Sequence, residues 1–171
     1  MNAPAGTFAT GSPFRGCPVE GAFASYDLAG AHQLLFPTYP ASLVADPVGT
    51  SVARFGWTDA ATVYNTRRNA DDVLGFVGSV NGTWQRVYAD ATGRVWTARA
   101  GLPVTLYQAG TFWARFVAGA YGGDPVYASL VDGGAVSGYA SNAELTKWSV
   151  MTACQPGELA IISTWGELCR N

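Results

Sequence analysis

A chain of 171 residues, 49% hydrophobic and only 13% charged, has the material for one domain with a real core and is excluded from the disordered class. Ten Lys and Arg against twelve Asp and Glu leave a formal charge of −2, which excludes a basic nucleic-acid footprint. Gly is abundant at 21 residues, and Lys147 is the only lysine beside nine arginines. Such a composition fits a β protein with much of its surface against other protein, because interfaces enrich Arg and deplete Lys.

Residues 1–47 read as an extended, proline-rich N-terminal arm. Pro4, Pro13, Pro18, Pro37, Pro40 and Pro47 are six of the nine prolines, and proline removes ladder donors. Phe8, Phe14, Phe23, Tyr26, Phe36 and Tyr39 recur through the same stretch. Solvated tails are poor in aromatics, so this arm is expected to lie on a surface and sink its rings into it. Leu28 to Phe36 is a candidate short helix with Asp27 as its N-cap. The first residues lack the basic start and apolar stretch of a secretory signal, and no run is long enough to span a membrane, so neither export nor a membrane partner is expected.

The body is expected over 48–171. Val52 to Trp57 alternates, placing Ala53, Phe55 and Trp57 on one face, and Ala61 to Tyr64 is a candidate next strand. Val73 to Val80 leads into Asn81-Gly82, a strong hairpin signal, with Trp84 to Tyr88 as return strand and Arg94 to Ala98 after it. Apolar runs then follow at near-regular spacing: Pro103–Tyr107, Thr111–Val117, Pro125–Val131, Ala135–Tyr139, Thr146–Met151 and Glu158–Ser163. Gln108-Ala-Gly110, Asp132-Gly-Gly134 and Gln155-Pro-Gly157 separate some of them. Short strands punctuated in this way predict an all-β fold, an antiparallel β-barrel or jelly-roll-like sandwich.

Nothing in the chain is arranged for chemistry. His32 is the only histidine and has no nucleophile motif near it. Cys17, Cys154 and Cys169 are scattered, so neither a zinc site nor a disulfide framework is expected, and reduced thiols are the simpler reading. Asp90, Asp124 and Asp132 fall at turns, where Asp has a backbone role. Arg67-Arg68 is answered by Asp71-Asp72. The expectation is no catalytic residue, no cofactor and no metal. Both faces of Thr111–Val117 are bulky, with Trp113 and Arg115 opposite Phe112 and Phe116, so one face is expected to fill the core and the other to meet a partner. The candidate partner-interface residues are Phe8, Phe14, Phe23, Tyr26, Phe36, Trp113 and Arg115.

Taken in order, Gly101-Leu-Pro-Val-Thr-Leu, Ala109-Gly-Thr-Phe-Trp-Ala-Arg115, Gly123-Asp-Pro-Val-Tyr-Ala128, Asp132-Gly-Gly-Ala-Val136 and Pro156-Gly-Glu-Leu-Ala-Ile-Ile-Ser163 form a series. With Val52-Ala-Arg-Phe-Gly-Trp57, Gly75-Phe-Val77 and Gly21-Ala-Phe-Ala-Ser25, it resembles the cement, or decoration, proteins of tailed-bacteriophage capsids. The resemblance implies a non-enzymatic structural protein on the outer surface of a capsid, bridging and stabilising major capsid subunits. The implied partners are the major capsid protein and neighbouring copies of the chain, a dimer ahead of a trimer. The implied location is the virion, after synthesis in the host cytoplasm. A virion-surface carbohydrate-binding or adhesin module, presenting some of the six tryptophans, is the alternative. A small hydrolase would need two carboxylates converging in a cleft.

Overall fold

The computed structural model describes residues 20–24, 43–59, 61–78, 87–89 and 96–165. The expected helix over 28–36 and the Asn81-Gly82 turn lie outside these residues. The described chain is all strand and turn, with no helix among the described residues.

Numbered along the chain, the strands fall into three sheets. A six-stranded sheet runs in the spatial order β8 (Pro103–Val104), β1 (Leu43–Ala45), β4 (Thr62–Tyr64), β3 (Arg54–Thr58), β5 (Val73–Val77) and β9 (Leu106–Tyr107). A five-stranded sheet runs β10 (Thr111–Arg115), β14 (Leu159–Ser163), β13 (Ala143–Val150), β11 (Pro125–Ser129) and β12 (Ala135–Ser137). A small sheet joins β2 (Thr50–Ser51), β7 (Trp96–Ala98) and β6 (Val87–Ala89). Pairing between named strands is antiparallel except for β1 with β4. The sheets curl into a half-barrel. In the five-stranded sheet the two edges meet, because Phe116, just past β10, bridges Ala135 at the start of β12.

Two expectations meet a different arrangement. Leu43–Ala45 falls within the expected arm, yet it pairs with both β4 and β8. Pro47, two residues past this strand, does not interrupt it, since it lies outside the three paired residues. β5 and β6, expected as the two arms of one hairpin, lie in different sheets: β5 sits between β3 and β9, and β6 pairs with β7.

The two larger sheets bury a shared aromatic core. Phe55 and Trp57 of β3 and Phe76 of β5 point inward by strand alternation and are fully buried. Phe55 meets Trp148 of β13 edge-on at 5.4 Å, and Phe76 meets Phe112 of β10 at 4.9 Å. Each such ring pair contributes about 0.5–1.5 kcal/mol beyond its buried area. One polar link crosses between the sheets, as Trp57 Nε1 donates to Glu144 Oε2 of β13 at 3.0 Å. The Arg67 guanidinium lies 3.4 Å from the same carboxylate and neutralises it.

The Asp132-Gly-Gly134 turn does more than join strands. Gly133 has φ +68° and its carbonyl accepts from the Phe55 N–H at 2.7 Å. A Cβ at Gly133 would lie 2.0 Å from the Phe55 carbonyl oxygen. The turn is therefore pressed against β3, and only glycine fits between them.

Candidate interaction surface

The arm's described segment is built into the sheet. The Gly21 N–H donates to the Trp113 carbonyl at 2.7 Å, the Trp113 N–H to the Ala22 carbonyl at 3.0 Å, and the Ala24 N–H to the Thr111 carbonyl at 3.0 Å. Residues 21–24 thus cover the edge of β10 that β14 leaves open. Phe23 bridges Phe112 across this edge, with its ring 4.9 Å from that of Phe112 and edge-on to Tyr107 at 5.5 Å. Burial pushes the Tyr107 hydroxyl's pKa up, against a hydrogen bond with Thr105 that lowers it.

Trp113 and Arg115 project from the other face of β10. Trp113 is buried with Ala24 and Ile161, backed by Met151 and Leu159. Both faces of β10 are therefore packed within the chain at Trp113 and Phe112. Arg115 is exposed but engaged: its Nε donates to Glu20 Oε2 at 2.9 Å and its Nη1 to the Gly157 carbonyl. Of the other sequence candidates, Phe8, Phe14, Tyr26 and Phe36 lie outside the described residues. Glu20, which carries the ion pair, was not singled out by sequence because nothing local marks a charge whose partner is 95 residues away.

Arg115 and Glu20 line a cleft of about 180 Å³, together with Arg54, Asp132, Val136 and Ser137. It lies where the edges of the five-stranded sheet part beyond the Phe116–Ala135 bridge. Two carboxylates share this cleft, as a hydrolase would need, yet each is held by an arginine: Glu20 by Arg115 and Asp132 by Arg54. Partial burial alone would raise the pKa of Asp132. Hydrogen bonds from the Ser129 hydroxyl and the Gly134 N–H, with the Arg54 guanidinium, outweigh it and hold the carboxyl below the usual range. A general acid needs the opposite shift. The Cys154 thiol is free, and burial pushes its pKa up, with an Ala120 hydrogen bond opposing and the Glu158 charge adding, which disfavours the nucleophilic thiolate. Among the described residues no group of three His, Cys, Asp or Glu side chains is placed to hold a metal ion.

The basic pair is likewise spent within the chain, but on Glu144 and Asp46 rather than on the expected Asp71 and Asp72. Arg68 donates to the buried Asp46 Oδ2 at 3.1 Å and stacks 3.4 Å over the Tyr64 ring. The body also leaves large apolar side chains in solvent: Val117, Tyr121, Val131, Tyr139 and Leu145 are all exposed.

A curled all-β body in which four arginines are each paired with a carboxylate, and which leaves apolar side chains in solvent, is compatible with a structural, surface-binding protein. The family model described as "Structural cement protein (E217 gp24/Pam3 gp6)", a phage cement family, matches residues 5–164, and the chain belongs to that family. No curated protein sequence matches the chain. It is a phage structural protein, associated as such with capsid components in the virion.

Proposed function

We propose that the chain binds the outer surface of an assembled phage capsid, bridges neighbouring major capsid subunits and stabilises the shell, with no catalytic role. The observation that supports this reading is that the cement-family match spans both the arm and the β body. The body supplies a rigid platform. Residues 21–24 fasten the arm's root to it, which leaves Phe8 and Phe14 as anchors for pockets on a neighbouring subunit, in the way a few buried rings dominate an interface. Copies of the chain associate with one another on the shell, as a dimer ahead of a trimer. Neither nucleic acid nor membrane is a partner, and the protein joins the virion after synthesis in the host cytoplasm.

The direct test is cosedimentation of the purified full-length protein with empty shells of its phage. Saturable binding is expected. Truncation of residues 1–20 is expected to leave the body folded and weaken that binding. Equal binding by the truncated and full chains would make the arm a passive tail.

A further inference from the structure

One side of the five-stranded sheet is turned away from the six-stranded sheet, and the packing of the described residues leaves part of it uncovered. Alternation along β11 sends Val126 and Ala128 inward, where both are fully buried, and turns Tyr127 out. Tyr127 lies directly between Val136 of β12 and Leu145 of β13. The Tyr139 ring stands edge-on to it, with centroids 6.2 Å apart at 87°. Tyr139 is 83% exposed and Leu145 59%. Lys147, two residues beyond Leu145 in the stretch where the β11–β13 register shifts, is exposed too. Arg54, Arg67, Arg68 and Arg115 each hold a carboxylate, whereas Lys147 has no ion-pair partner among the described residues. Glu144, its neighbour on β13, turns inward to Trp57.

We propose that Tyr127, Val136, Tyr139, Leu145 and Lys147 form the seat by which the protein docks on the shell, and that the occupant is a capsid-protein surface offering an apolar patch with a carboxylate facing Lys147. This rests on the cement reading above. Tyrosine supplies large contact area at little conformational entropy, and its hydroxyl remains free to hydrogen-bond a partner. The lysine selects the occupant's charge. Covering an unpaired ammonium with a neutral surface is unfavourable, whereas a carboxylate within reach restores what desolvation removes. A second copy of the chain is a poor occupant. A two-fold contact through this face would set the patch against itself, and the five residues include two lysines per pair and no carboxylate. An anionic polymer is a poor occupant as well, because a single lysine on a chain of charge −2 gives no basic track.

The experiment compares shell binding by the full-length protein with that of Tyr139→Ala/Leu145→Ala, Lys147→Glu and Lys147→Met, each first shown to melt like the parent. All three positions altered are exposed, so folding is not at stake. The double variant is expected to bind about 10-fold or more weakly. Lys147→Glu is expected to lose a similar factor, and Lys147→Met to flatten the fall of binding with added salt. If the parent binds shells and every variant binds within about 2-fold of it, this face is not the seat, although the cement reading stands. If the parent fails to bind shells, the cement reading itself fails. If the variants instead lose self-association, or lose binding to an oligosaccharide panel, the occupant is a second copy or a glycan and the proposal is overturned.

Discussion

Gly133 carries more of the fold than its size suggests. Its positive φ and the 2.0 Å separation that a Cβ would have from the Phe55 carbonyl oxygen leave no room for alanine. Gly157 shares the positive φ but has nothing within 4 Å of an added Cβ. Gly133→Ala is therefore expected to destabilise by about 2–4 kcal/mol, strain and steric clash together, and Gly157→Ala by about 1 kcal/mol of strain alone. Denaturant melts of the two variants check this, and equal losses would show that the turn does not press on β3. Asp132, beside Gly133, gives a pH signature. Its pKa lies below the usual 3.8 in the fold, so the stability it contributes is complete above that value and is lost as pH falls through the lower folded value. Parent and Asp132→Asn are expected to differ in stability near neutrality and to converge once the pH has fallen below that lowered folded value. A gap that persists unchanged into acid would remove the carboxylate from the account.

At the scale of elements, the seam between arm and body is the part that can be loosened separately. Phe23 is half-buried against Tyr107 and Phe112, and Phe23→Ala is expected to cost about 2–3 kcal/mol, somewhat less than truncation of a fully buried ring. The Glu20–Arg115 pair is partly exposed, so Glu20→Ala is expected to cost at most about 1 kcal/mol. In Phe23→Ala the Trp113 amide, which donates to Ala22, is expected to exchange faster with solvent. The Phe112 and Ala114 amides, which alternate toward β14, are expected to stay protected. If all three accelerate together, the segment is an integral strand rather than a fastening. Local chemistry made much of this region legible in the sequence. The runs at Thr111, Pro125, Ala135 and Glu158 became β10, β11, β12 and β14, because period-two alternation and glycine turns are written within a few residues. The pairing of the strands was not legible. Residues 21–24 meet β10 some 90 positions away, and β1 joins β4 in parallel, through contacts that no short window contains. The Leu145 and Lys147 face escaped notice for a related reason: the apolar run counted from Thr146 cut across the alternation that places Leu145 outside and Trp148 inside.

For the molecule as a whole, the pairing of arginines with carboxylates leaves a body with little charge to repel a protein surface, and the exposed tyrosines and leucine give it something to press there. A protein that binds the assembled shell and not its separated subunits stabilises the shell by mass action, by about 2.7 kcal/mol per site when its free concentration is 100 times Kd. No reaction and no bound cofactor is needed for this. The central claim is therefore tested most directly by heating shells with and without the full-length protein and recording the temperature at which they open. Decorated shells are expected to open at a higher temperature, with an increment that grows with the concentration of added protein. Identical opening temperatures at saturating occupancy would contradict the cement account.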